Sequence, residues 1–258
     1  MSSIATVHKL NLLDDSACHN FISKTLVKGA ENSLIYEANS RKHRCAMSIH
    51  ILKILGHEIA KSDWCENSKQ IIWTTSCLAF FGSFRIGELL CNSSTKYDPF
   101  TSLLWRDLQF INDGCIVHVK SPKSRTPGGE FVDIFEFKGH NCCPVKALLK
   151  LKEKSRNAKN PDLPVFMFDS GIILSKQCFN EKFKILLEGS IENKGKHFSG
   201  HSFRAGIPTA LARHPKMVKD SHIMGWGRWD SPAFLVYTRL KTPQEHFIFG
   251  KITSVLND

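Results

Sequence analysis

Residues 71–81, Ile-Ile-Trp-Thr-Thr-Ser-Cys-Leu-Ala-Phe-Phe, form a nearly unbroken apolar run. No polar stripe divides it, so its period predicts a helix that must be buried rather than one that shows a face to water. It is too short to cross a bilayer, which takes roughly 20 apolar residues, and Thr74, Thr75 and Ser76 interrupt it. A chain of 258 residues with 42% hydrophobic content is large enough to pack a core around such a helix.

The neighbouring segments supply that core. Ser48 is placed to cap a helix reaching residue 55, and a turn at Gly82-Ser83 starts another through Leu90. Residues 115–119 alternate in strand fashion, Pro127-Gly128-Gly129 is a turn signal, and 131–137 is rich in β-formers. Together they predict a hairpin with basic residues near its tip. Cys143-Pro144 precedes a helical stretch at 145–154, and 161–164 is a loop before the apolar segment 165–168. Most of the remainder is helical. Thr242-Pro243-Gln244-Glu245 is a capping box opening a last helix, whose stripe is Phe247, Ile248, Ile252 and Val255. The expected class is mainly α with a small antiparallel β-hairpin or sheet (α+β). Residues 1–44 are expected to be a helical appendage and basic linker, and 45–258 the main domain. There are no internal repeats.

The formal charge of +11 favours a polyanionic partner, although charge alone does not separate DNA from RNA or an acidic membrane. The absence of a long apolar run removes the membrane. Nine cysteines, an odd number, without a signal-peptide pattern predict reduced thiols in an intracellular protein. Cys115, His118, His140, Cys142 and Cys143 invite a metal assignment, but strand alternation puts Cys115 and His118 on opposite faces, Cys142 and Cys143 are adjacent, and no Cys-x-x-Cys unit is present. No metal or other cofactor is expected.

Arg85 and Arg204 each lie near the start of a predicted helix, where backbone amides also favour an anion. Their planar guanidiniums suit the non-bridging oxygens of one phosphate. His201 stands three residues before Arg204 and Glu88 three after Arg85, spacings that bring side chains together on a helix. The second pair is equally a local salt bridge. Lys123 and Lys120 both lie near the hairpin tip; Trp105, Phe80, Phe81 and Phe84 are expected in the core.

Arginine, hairpin lysine, His-x-x-Arg, Gly-x-Trp and Val236-Tyr237-Thr-Arg239, in that order, resemble the tyrosine recombinase or phage-integrase family over about residues 45–250. Residues 79–85, 97–100 and 201–206 look most like enzymes of eukaryotic mobile elements, the DIRS-like retrotransposons and Cryptons. The resemblance implies the family's catalytic-domain fold, shared with type IB topoisomerases, and double-stranded DNA as partner. It makes Tyr237 the nucleophile, Arg85 and Arg204 the phosphate clamp, His201 a proton-transfer partner, Lys123 the general acid and Glu88 a supporting carboxylate. For the family's second His-or-Trp position Trp229 is preferred, Arg228 being the alternative; Lys120 competes with Lys123. The resemblance further implies a tetramer on DNA from a monomer in solution, and a nuclear location if the host is eukaryotic. Two other functions share these residues: a non-catalytic DNA-binding or assembly protein, suggested by only about 44 residues before the catalytic region, where family members carry a core-binding domain, and a topoisomerase-like swivel.

Overall fold

A computed structural model describes residues 45–120, 127–137, 140–189, 197–214 and 216–229. The apolar run lies in helix α2 (Glu66–Phe81), five residues longer at its start than the sequence period predicts, and residues 70–72 and 74–81 are all buried. Its polar interruptions are satisfied without water. Thr75 and Ser76 hydroxyls donate to the carbonyls of Ile71 and Ile72 at 2.9 and 2.8 Å. Thr74 Oγ1 and Gln70 Nε2 both donate to the Ala147 carbonyl, at 3.1 and 3.0 Å. Burying a hydroxyl therefore leaves no orphaned donor here.

Helix α1 (Ile49–Lys61) packs on α2, and Ser48 caps it by accepting from the Ile51 N–H at 3.2 Å. It runs six residues past the expected end. After α2 the chain turns through Gly82 and Ser83 into α3 (Ile86–Leu89), a single turn ending before Leu90. A 3-10 turn (Trp105–Asp107) leads to β1 (Leu108–Ile111), β2 (Gly114–Val119) and β3 (Glu130–Phe135), an antiparallel sheet in that order. The hairpin β2–β3 matches the expectation; β1 does not, because its four residues do not announce a strand by alternation. Cys115, Val117, Val119, Val132 and Ile134 fill the inner face.

Helix α4 (Pro144–Lys154) opens with Pro144 at its first turn and lies along α2. Helix α5 (Lys176–Glu188) is capped by Ser175. Three short helices follow: α6 (Gly200–Arg204), α7 (Gly206–Ala212) and α8 (Asp220–Gly227). Gly206 sits where a side chain would meet the Phe80 ring at 2.4 Å, so the α6–α7 junction can approach α2 only with hydrogen there. Trp105, Phe80, Phe81 and Phe84 are buried, as expected. Cys115 is buried on the inner face, its thiol pushed up to about 12 by burial, while His118 stands on the outer face stacked on Phe131. Residues 1–44, Lys123, Tyr237 and the segment 242–256, expected to be a helix, lie outside the described residues.

Candidate active site

Two backbone turns build the site. Ser83 (φ 46°) and Arg228 (φ 53°) are the only described non-glycine residues with left-handed backbone, a conformation that costs on the order of 1–3 kcal/mol at each position. Ser83 carries the chain from α2 towards α3. Arg228 ends α8, at the position helices usually give to glycine. Immediately before it, a side chain at Gly227 would meet the Trp229 ring at 1.9 Å, so the turn folds tightly onto the indole.

Glu88 is the centre of the arrangement. Its Oε1 accepts from Arg85 Nη1 at 2.7 Å and its Oε2 from the Arg85 backbone N–H at 2.9 Å, so the i, i+3 spacing caps α3 as well as pairing charge. The left-handed turn sends Arg228 back to the same carboxylate, Nη2 lying 2.7 Å from Oε2. Arg204 Nη1 is 3.9 Å from that oxygen. Arg228 Nη1 also donates to Glu130 Oε2 at the start of β3, at 3.1 Å, and its guanidinium lies 4.9 Å over the Phe84 ring. Burial by itself would raise the Glu88 carboxyl, but the Arg228 charge together with hydrogen bonds from Arg228 and Arg85 outweighs it, and Glu88 is held below the usual carboxylate range.

Arg204 is fully buried. It does not open a helix, as the sequence suggests, but closes the five-residue α6, so the helix dipole does not assist an anion at its backbone. Its guanidinium instead donates to the carbonyls of the two strained turns, Nη1 to Ser83 and Nη2 to Gly227, both at 2.6 Å. It rests 5.1 Å over the Trp229 indole. A buried guanidinium with hydrogen bonds and a π face is tolerated where a bare charge would not be. The side chains are graded by depth: Arg204 is 1% exposed, Arg228 9%, Arg85 28% and Glu130 29%. Arg85 and Glu130 thus form the rim, and Arg228 the wall beneath.

The other expected residues fall at different distances from this cluster. His201 keeps its three-residue spacing to Arg204, yet it is exposed while Arg204 is buried, because α6 is too short to give both one environment. Lys120 is spoken for: its Nζ lies 2.5 Å from Asp107 Oδ2 and donates to the Pro99 carbonyl at 2.9 Å. Trp229 packs beneath Arg204, and Arg228 binds Glu88. The structure therefore gives the two alternatives different work, indole as support and guanidinium as charge. Glu130 and the Ser83 carbonyl were not legible as site members. A carboxylate at a strand start and a serine after glycine have no distinctive sequence signal.

No family model matches the chain, and no curated protein matches it by sequence. Solved structures do match. XerH site-specific recombinase bound to palindromic difH substrate, in a post-cleavage complex, superposes with a TM-score of 0.50 at 13% identity over 81% of this chain. This chain spans about half the length of that one, 51%. The FLP recombinase–Holliday junction complex aligns over 95% of this chain and 57% of that one, at 12% identity and a TM-score of 0.44. With its helical body and small three-stranded antiparallel sheet, the chain is similar in fold to the catalytic domains of tyrosine recombinases.

Proposed function

We propose that the protein is a DNA recombinase that breaks and rejoins strands through a 3′-phosphotyrosyl intermediate at Tyr237. The observation that carries this is the convergence of Arg85, Arg204 and Arg228 on Glu88, from elements separated by more than a hundred residues, in a fold similar to that of DNA-cleaving enzymes. An ion pair needed only for stability requires one arginine. Three guanidiniums against Glu88 and Glu130 leave a net positive pocket, which suits the extra negative charge that forms on non-bridging phosphate oxygens during attack.

In this scheme Arg85, at the rim, takes the phosphate first, and the deeper guanidiniums stabilise the transition state. Tyrosine has an ordinary pKa of about 10, so the pocket's charge also eases deprotonation of Tyr237. His201 moves or holds the proton. Lys123 protonates the departing 5′-oxygen; the engagement of Lys120 with Asp107 favours Lys123 for this task. The phosphotyrosyl ester conserves the bond energy, and a different 5′-hydroxyl reverses the step without ATP. Trp229 supports Arg204 from behind. Assembly as a tetramer on DNA and a mobile-element source belong to the same proposal.

The test is cleavage of a duplex carrying a sulfur at the 5′-bridging position. Arg85→Ala should lower the rate by about 10²–10³ on any substrate, as expected for loss of one oxyanion donor. Lys123→Ala should be slow on ordinary DNA and restored on the sulfur substrate, whose leaving group needs no proton. Cleavage by Arg85→Ala at the wild-type rate would remove the pocket from the chemistry. Rescue of Lys120→Ala in place of Lys123→Ala would transfer the acid role.

A further inference from the structure

The Arg228–Glu130 contact joins the site to the sheet, and its composition is unusual for a mere brace. Arg228 sits in a left-handed turn that glycine would adopt without strain, so the arginine stands there against a local preference. Its Nε is buried and has no hydrogen-bond partner among the described residues, although both Nη atoms are engaged. A buried donor without an acceptor is costly, and here it belongs to a guanidinium whose Nη2 is taken by Glu88 and the Ser83 carbonyl and whose Nη1 is held by Glu130. Glu130 is the opposite case. It is more than a quarter exposed, follows the left-handed glycines Gly128 and Gly129 at the start of β3, and makes its ion pair to Arg228 through one oxygen.

We propose that Glu130 is a carboxylate placeholder on Arg228, which a DNA phosphate displaces. The inference rests on the recombinase proposal only in taking DNA as the anion. In the free protein Glu130 adds a second, more exposed carboxylate to a guanidinium already paired with the buried Glu88. A diester oxygen entering over Arg85 replaces the carboxylate on Nη1 and offers acceptors to the remaining edge of the fork. Release of Glu130 leaves three arginines facing Glu88 alone, so the pocket gains a positive charge as the phosphate arrives. Glu130 is thus a positioning residue, and Arg228 contacts substrate. Glu88, almost fully buried, stays in place as the fixed counter-charge.

The experiment measures binding of the full chain to a fluorescein-labelled duplex of arbitrary sequence by anisotropy over a salt series. It uses wild type, Glu130→Gln, Arg228→Gly and the double variant. Arg228→Gly suits the left-handed turn and removes the cation from both Glu130 and Glu88, and a thermal melt checks that it is folded. Glu130→Gln should tighten binding about two- to fivefold, because an ion pair of modest strength no longer has to break. Arg228→Gly should weaken it roughly tenfold and lower the salt slope by about one. In the double variant the gain from Glu130→Gln should vanish, since nothing remains to be released. A gain that persists without Arg228 would reduce Glu130 to general charge repulsion and overturn the proposal, as would unchanged or weaker binding by Glu130→Gln. Covalent capture on nicked DNA separates the two proposals. An adduct without Glu130–Arg228 coupling sinks the placeholder alone, and coupling without an adduct sinks the phosphotyrosyl chemistry while the phosphate site stands.

Discussion

Replacing Glu88 by glutamine keeps the shape of the side chain and removes the charge on which three arginines converge. The wild-type carboxylate accepts from Arg85 and Arg228 through both oxygens, with its side chain 3% exposed. In the variant one of those oxygens becomes an amide NH2, which faces a guanidinium donor at 2.7 Å and must turn away. Arg228 and Arg204 are then buried with their main counter-charge gone. Removing one partner of a buried ion pair costs about 3–5 kcal/mol; for a domain of this size each kcal/mol moves the melting midpoint by roughly 2–4 °C. Glu88→Gln should therefore melt about 6–20 °C below wild type at pH 7. The pH dependence gives an independent check. Because the folded carboxyl is held below its ordinary value, its contribution is fully present above the ordinary carboxylate range of roughly 4 and is lost as pH falls through the folded value. The gap between wild type and Glu88→Gln should accordingly shrink on acidification. Urea denaturation at a series of pH values measures both. A gap under about 1 kcal/mol at pH 7, or one that widens in acid, would refute the assignment of Glu88 as the buried counter-charge.

Gly227→Ala places a methyl inside the Trp229 ring's position and should destabilise by about 1–3 kcal/mol as the indole is pushed from beneath Arg204; chemical denaturation and a change in tryptophan emission report it. Lys120→Ala leaves Asp107 buried without its cation and should cost about 3 kcal/mol or more. In the Lys120→Ala, Asp107→Asn double variant the loss should be less than the sum of the singles, and additive losses by urea denaturation would mean that the pair is not coupled.

The elements that could be read from sequence are those where one period or one punctuation mark dominates. Residues 71–81 announce α2, Ser48 announces the start of α1, and Pro127-Gly128-Gly129 announces the β2–β3 hairpin. Boundaries were lost where tertiary contacts override local signals. The start of α2, residues 66–70, has no apolar run, yet Gln70 is fixed there by a hydrogen bond to Ala147 on α4. Arg85 and Glu88 were legible as a pair because their spacing is local. Arg204 was legible as a residue but not in its setting: only the fold shows that its guanidinium is buried between the carbonyls of Ser83 and Gly227. Glu130 could not have been found, since its meaning comes from Arg228, 98 positions away. Arg228 looked secondary to Trp229 because a left-handed backbone at arginine has no sequence signature.

The most direct test of the central proposal is covalent capture. The 258-residue chain is incubated with a nicked suicide duplex, from which the cleaved strand diffuses away, and the products are resolved on a denaturing gel and by mass spectrometry of the linked peptide. Wild type should form a DNA adduct whose phosphate maps to Tyr237, and Tyr237→Phe should bind the same duplex with similar affinity yet form none. An adduct of equal yield from Tyr237→Phe, or no adduct from a wild-type protein that binds the duplex, would contradict strand breakage through this tyrosine.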